Sequence, residues 1–467
     1  MEDYSDRTSL AATLRQRRQR LSKLIDFPVI LWSGQWIPRN FAANPFPFRA
    51  SSHFLYFAGL PLENAAIRLQ GTSLELFMDE AAASSKLWHG ETATREDIAK
   101  KIGADAVFNL CELQSHSDSA ATVAVQDVAT HWQQTKILNR PVAPANAPTG
   151  IDLDLAKAIT SVRLCHDASA LLELQKAAAV TIKAHQAGMG VTKSRGLAEQ
   201  PLSEAVVRSA MESVIIAHNM SCAYGSIVTV HGEVLHNHQY QHPLQAGDLL
   251  LADVGADTEM GWAADITRTW PVSGKFSPTQ RDLYDIVLAA HDACIEQVRP
   301  GVEYLDIHLL AATVIAQGLV DLGILRGKAS DLVERDAHAL FFPHGVGHLL
   351  GLDVHDLEDL GDLSGYQQGR VRSSRFGLSF LRLHRPLQTG MLVTIEPGFY
   401  QVRAILQEPK LRSKYQDVVN WERLNQFADV RGIRIEDDVL VTQTGNEVLT
   451  AALPTKATVI EHLVNSP

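Results

Sequence analysis

Apolar positions along the chain follow two rhythms. Short runs such as Pro28-Val29-Ile30-Leu31-Trp32 and Leu74-Glu75-Leu76-Phe77-Met78 alternate with helix-like stretches over the first third, the pattern of an α/β domain. A break follows at Pro141-Val142-Ala143-Pro144-Ala145-Asn146-Ala147-Pro148. From Asp167 an Ala/Leu/Lys segment runs without interruption through His185, with aspartate as its start signal and the composition of a helix. A boundary therefore falls near 165, giving domains 1–165 and 166–467. Downstream, Ser277-Pro278-Thr279-Gln280 is a capping box with proline at the first helical position, and Leu283, Ile286, Val287, Ala290 and Cys294 follow at helical spacing. Three segments read as buried strands: Leu249 to Asp253, Leu392 to Glu396, and Ile433 to Glu436 running on to Val439-Leu440-Val441.

Composition narrows the class. At about 150 residues per domain, 467 residues make two or three domains. Apolar residues at 46% and charged residues at 20% supply large cores and exclude disorder. The 42 Lys and Arg against 53 Asp and Glu leave a net charge of −11, which offers no field to a phosphate backbone, so nucleic acid is not an expected partner. Cys111, Cys165, Cys222 and Cys294 stand far apart and never as CxxC, which suits a reducing compartment. The opening Met1-Glu2-Asp3-Tyr4, followed by Arg15-Gln16-Arg17-Arg18-Gln19-Arg20, lacks the apolar core of a secretory signal, and no run has the length of a membrane span. A cytoplasmic protein with no membrane partner is expected.

The chemistry is announced by misplaced charge. Each of the three strands carries a carboxylate where a core strand favours an apolar side chain, and an unpartnered buried carboxylate is costly. Something cationic has to meet them. With Asp265 in Ala264-Asp265-Ile266-Thr267-Arg268-Thr269 and His348 in His344-Gly345-Val346-Gly347-His348, the candidate ligand set is Asp253, Asp265, His348, Glu396 and Glu436. Oxygen-rich ligation with one imidazole suits Mn, Co or Fe, with Zn possible, and four carboxylates balance two divalent ions. His344 and His348 have the spacing of a helical zinc motif, but Pro343, Gly345 and Gly347 point to a loop. His236, His238 and His242 also cluster; His236 is retained as a candidate, and His238 and His242 are expected at the surface.

The flanking residues add a resemblance. Asp253-Val254-Gly255-Ala256, Asp265-Ile266-Thr267-Arg268-Thr269, His344 to His348 with Leu352-Asp353-Val354-His355-Asp356, Ile395-Glu396-Pro397-Gly398 and Gly432-Ile433-Arg434-Ile435-Glu436-Asp437-Asp438 resemble, in order, the motifs of the pita-bread metallopeptidases. The match is to their proline-specific branch, the Xaa-Pro aminopeptidases and prolidases. Arg49 to Gly59 resembles more weakly the N-terminal domain of that branch. The fold implied is α/β (α+β), a smaller N-terminal aminopeptidase P/creatinase-like domain followed by a pita-bread (creatinase/aminopeptidase-like) catalytic domain. The resemblance implies two divalent ions, manganese first. Asp253 would hold one, His348 and Glu396 the other, and Asp265 and Glu436 would bridge. It further implies hydrolysis before proline, Glu396 moving the proton, and His236, His344 and His355 on the substrate side. Arg434 would brace a carboxylate, and Tyr224 and Arg382 would meet substrate. The implied partners are short peptides with proline second, and a homodimer or higher homo-oligomer.

Some features depart from the family pattern. Asp253 and Asp265 are twelve apart, one more than the family spacing, so a bulge or longer turn is expected between Asp257 and Met260. The stretch from Tyr224 to His236 is two residues short. Gln401 to Asp429 and Gly377-Leu378-Ser379-Phe380-Leu381-Arg382 resemble prolidase, whereas Thr442 to Thr450 resembles the aminopeptidase. The expectation is an Xaa-Pro aminopeptidase, with an Xaa-Pro dipeptidase as the alternative. A non-catalytic peptide-binding relative and a metal-free creatinase-like hydrolase are remoter, because both normally lose ligands that are all present. Methionine aminopeptidase shares the ligands but not the added N-terminal domain or the surroundings of His355.

Overall fold

The computed structural model describes residues 9–82, 84–193 and 202–465; the acidic opening at residues 1–4 lies outside them. The chain divides into two compact units, Met1–Ser169 with Leu357–Ser364, and Ala170–Asp356 with Gly365–Pro467. The short excursion at Leu357–Ser364 had no signal in the hydrophobic pattern.

The first unit holds a four-stranded sheet in the order β1 (Val29–Trp32), β2 (Ala66–Gln70), β3 (Ser73–Phe77), β4 (Ala106–Phe108), antiparallel except for the parallel β3–β4 pair. The arginine-rich run near the N-terminus is the helix Leu10–Leu21, capped by Ser9. Two of its charges turn inward. Arg17 grips Asp167 with two bonds of 2.8 and 3.0 Å, and Arg18 donates to the carbonyls of Thr72 and Gly103. The excursion contributes Asp359, which takes His53 Nε2 at 2.9 Å, while Arg163 holds the other ring nitrogen at 2.8 Å.

The second unit is built from small sheets in which every described strand pairing is antiparallel. One runs β6 (Ile227–Thr229), β7 (Leu249–Asp253), β9 (Thr267–Pro271); another runs β10 (Leu392–Ile395), β13 (Asp437–Val441), β14 (Asn446–Val448). Two further pairs join β5 (Ser221–Cys222) to β8 (Ala256–Asp257) and β11 (Gly398–Tyr400) to β12 (Gly432–Arg434). Helix Ala168–Lys193 extends beyond the expected His185, and the helix Pro278–Gln297 starts on the Ser277–Gln280 capping box, with both reciprocal bonds formed. It packs against Tyr304–Asp321, which buries Ile307, Ala311, Ile315 and Leu319.

The carboxylate-bearing strands differ instructively from the pattern reading. The segment from Ile433 to Val441 is two strands, not one. The chain leaves β11 after Arg434, and by Asp437 it has joined β10. Glu436 sits at that change of partner, its N–H donating to Thr267 O at 3.0 Å. Glu396 likewise stands one residue past the end of β10. Outside the regular strands, both carboxylates turn toward His348, each 3.9 Å from its Nε2.

Candidate metal centre

Strand ends deliver the ligands. Asp253 closes β7 opposite Thr267, and Asp265 precedes β9 by two residues, so the two aspartates approach from the same edge. The connection between them holds β8 and a turn in which Gly261 N donates to Thr258 O and Thr258 N to Trp262 O. The segment from His344 to His348 is a loop lying along β10: Glu396 N donates to Val346 O at 2.7 Å and Thr394 N to His348 O at 2.9 Å. It fits there because Gly347 has no side chain, since a Cβ at that position would stand 2.1 Å from Thr394 O.

His348 Nδ1 donates to the carbonyl of Leu349 at 3.0 Å, which leaves Nε2 as an acceptor aimed inward. Nε2 lies 3.5 Å from Asp265 Oδ2 and 3.9 Å from both Glu396 Oε1 and Glu436 Oε1. Donor atoms of Asp265, His348 and Glu436 all lie within 4.8 Å of one another, and no other such group of three occurs among the described residues. Asp253 and Glu396 flank this trio. Arg434 Nη2 donates to Asp253 Oδ2 at 2.5 Å, with its Nε on Thr267 Oγ1 and its Nη1 on Tyr400 Oη. The sequence assigned Arg434 a bracing role, and the carboxylate it braces is Asp253. Thr267 Oγ1 in turn donates to Glu436 Oε2 at 2.7 Å.

Electrostatics argue for a cation. Burial, reinforced by Asp253, holds the Asp265 carboxyl well above its ordinary range, and burial with Asp265 and Glu396 does the same to Glu436. Burial raises Glu396 to about 7, against the pull of His348 and Arg434. Four carboxylates against one guanidinium cannot all stay ionised without further positive charge. Tyr224 Oη donates to both Asp253 and Asp265. Glu436 Oε1 is buried with no hydrogen-bond partner, as expected of a ligand atom facing a metal. Oxygen donors with one imidazole suit divalent cations. The residues fit the metal pair.

A cavity of about 430 Å³ opens beside these ligands, lined also by His236, His344, His355, Arg372, Phe380 and Arg382. The three substrate-side histidines of the sequence reading are not equivalent. His344 Nδ1 donates to Gly345 O at 2.7 Å and Nε2 accepts from Tyr400 Oη at 2.9 Å, so both nitrogens are engaged with the protein. Burial and the Arg434 charge keep it neutral, with its pKa pushed down to about 3. His355 packs its ring on His348 at 4.2 Å, and His236 is exposed at the mouth. His238 is exposed too, but His242, expected at the surface, is half-buried and bonds the buried Glu204 at 2.8 Å. Sequence reasoning missed Tyr400, which joins His344 to Arg434, and left Thr267 and Arg268 without roles. Arg268 is fully buried and donates to Glu436 O at 2.7 Å and Asp437 Oδ1 at 2.8 Å, fixing the backbone that presents Glu436.

Comparison with known proteins agrees with this geometry. The chain matches metallopeptidase family M24 over residues 173–443 and the aminopeptidase P N-terminal domain over residues 14–127. It is 30% identical over 435 residues to an Xaa-Pro aminopeptidase of Haemophilus influenzae, covering 90% of this chain and 89% of that protein. The Escherichia coli Xaa-Pro aminopeptidase is 29% identical, with 96% and 97% covered. Among solved structures, zinc-substituted E. coli aminopeptidase P in complex with product superposes with a TM-score of 0.77 at 26% identity, and Pseudomonas aeruginosa aminopeptidase PepP with 0.76 at 27%, each covering 97% of both chains. By these matches the chain belongs to metallopeptidase family M24.

Proposed function

We propose that the protein is a metal-dependent Xaa-Pro aminopeptidase, hydrolysing the bond between an N-terminal residue and a following proline. The observation that carries the reading is the convergence of Asp253, Asp265, His348, Glu396 and Glu436 on one side of a cavity sized for a short peptide. Asp265, His348 and Glu436 would hold the metals, with Asp253 and Glu396 completing the set. When bound, the pair supplies Lewis acidity and an acidified water. The remaining work falls to side chains. Glu396, at the edge of the ligand cluster and lining the cavity, can take a proton at its carboxylate and return it to the leaving imide nitrogen. His236 and His355 line the cavity from which the substrate carbonyl can be hydrogen-bonded. His344, with both nitrogens committed, orients Tyr400 and stands 3.8 Å from Glu396 Oε2. Arg434 holds Asp253 in place through the bond from its Nη2 to Oδ2 at 2.5 Å.

A second reading, an Xaa-Pro dipeptidase, is favoured by Arg382. Arg382 lines the cavity beside the metal ligands, as does Arg372, which also donates to Leu381 O at 2.7 Å. A guanidinium there suits the terminal carboxylate of a dipeptide. Manganese as the working metal, a reducing cytoplasmic setting, which the wide separation of the four cysteines suits, and a homo-oligomer belong to the same proposal. Manganese-loaded protein offered Xaa-Pro-Xaa, Xaa-Pro and a Met-initiated peptide without proline tests it. Cleavage of the tripeptide ahead of the others supports the aminopeptidase; dipeptide preference supports the alternative; cleavage of the proline-free peptide alone refutes both.

A further inference from the structure

The loop at residues 230–244, which carries His236 between β6 and β7, is stitched to the start of the helix Glu204–Ala217. Leu244 N donates to Leu202 O, Glu204 N to His242 O and Ala205 N to Tyr240 O, at 2.8, 3.1 and 3.0 Å. Inside the stitch lies the Glu204 carboxylate, 0% exposed. Its Oε1 accepts from Thr229 Oγ1 at 2.9 Å and Val230 N at 2.8 Å; its Oε2 accepts from His242 N at 3.1 Å and His242 Nδ1 at 2.8 Å. An ionised carboxylate has about four acceptor sites, and the two ends of the loop fill them. Thr229 Oγ1 also accepts from His231 N and from Asn237 Nδ2, both at 2.9 Å. Asn237 is buried and is the immediate neighbour of His236. On its other side the loop is fixed by backbone contact, because a Cβ on Gly432 would stand 2.3 Å from Gly232 O, and β12 then leads to Arg434.

Glu204 does not line the cavity. A carboxylate withdrawn from water without touching substrate or metal is accounted for by what it organises. We propose that Glu204 is a positioning residue, which through Thr229 and Asn237 sets His236 at the mouth of the metal site. This rests on the aminopeptidase reading and deepens it.

A double-mutant cycle on manganese-loaded protein tests the assignment, with kcat and KM on an Xaa-Pro-Xaa tripeptide, bound manganese and Tm read for each variant. Glu204→Gln keeps the shape but turns an amide NH₂ toward donors. Thr229→Val keeps the shape and cuts the relay. Each is expected to lower kcat by about 10–10²-fold, the scale of an ångström-size misplacement, while KM and bound manganese stay within about 2-fold. In the His236→Ala background neither should slow the enzyme further. Multiplicative losses in the double variants, manganese loss in step with kcat, or wild-type kcat in both single variants would overturn the assignment. Should Glu204→Gln fail to fold, Thr229→Val decides by the same criteria. A wild-type rate in His236→Ala alone instead removes His236 from the chemistry, a failure of the site assignment that the single variant reports by itself and that removes the positioning role with it.

Discussion

Gly347 is the point where the loop bearing His348 lies flat on β10, and replacing it with alanine perturbs the metal site without touching a ligand. The added Cβ would stand 2.1 Å from Thr394 O and 2.4 Å from Tyr304 Oη. Neither can retreat easily, since Tyr304 Oη donates to Thr394 O at 2.7 Å and both residues are fully buried. Carbon–oxygen contacts settle near about 3.3 Å, so the loop has to lift by about 1 Å. His348, the next residue in the loop, is carried with it, which stretches its bonds to Thr394, N–H to Oγ1 at 3.2 Å and carbonyl from N at 2.9 Å. Displacement on that scale costs about 10²-fold in rate, or about 2.7 kcal/mol in transition-state stabilisation, with about 1–3 kcal/mol of stability from overpacking. Metal affinity should fall about 10–100-fold, as when the support of a ligand is lost. Calorimetric manganese titration and kcat/KM on an Xaa-Pro-Xaa tripeptide measure both. Gly445→Ala, where no atom lies within 4 Å of the added Cβ, is the control and should stay within about 0.5 kcal/mol of wild type. Wild-type affinity and rate in Gly347→Ala would refute the reasoning.

Three other outcomes follow from the same geometry. Glu396→Gln and Asp265→Asn should each abolish turnover by removing a ligand charge; near-normal kcat with manganese bound would remove that residue from the ligand set. Arg434→Met leaves Asp253 buried without its cation, and the metal-free protein should lose about 3–5 kcal/mol in urea unfolding; an unchanged transition would show that the pair does not support the fold. Arg382→Ala should cost Xaa-Pro dipeptide hydrolysis about 2–4 kcal/mol, the scale of leaving a buried carboxylate unpaired. Longer Xaa-Pro peptides should lose much less, and equal losses on both would remove Arg382 as the reader of the dipeptide carboxylate.

The ligands were legible because they break a rule: Asp253 and Glu396 interrupt or end apolar strands, and Glu436 sits among Ile435, Val439 and Leu440. What supports them was not. Tyr400 reaches His344 and Arg434 across separations of 56 and 34 residues, and a tyrosine near the end of an apolar strand has no local mark that distinguishes it from core. Arg268 lies within a quoted motif, yet its bonds to Glu436 O, Leu453 O and Pro454 O exist only in the folded chain. The break of Ile433 to Val441 into two strands escaped periodicity because both halves are buried and neither alternates. The Leu357–Ser364 excursion has no pattern at all, as its place is set by Asp359 meeting His53, 306 residues away.

The central claim is that hydrolysis depends on metal held by the Asp265, His348 and Glu436 cluster. Its most direct test is the rate of N-terminal residue release from an Xaa-Pro-Xaa tripeptide by protein exhaustively chelated, verified metal-free by elemental analysis, and then titrated with manganese. The account predicts no release from the metal-free protein and recovery that tracks bound manganese to saturation at two ions per chain. Full activity of the verified metal-free protein would contradict it.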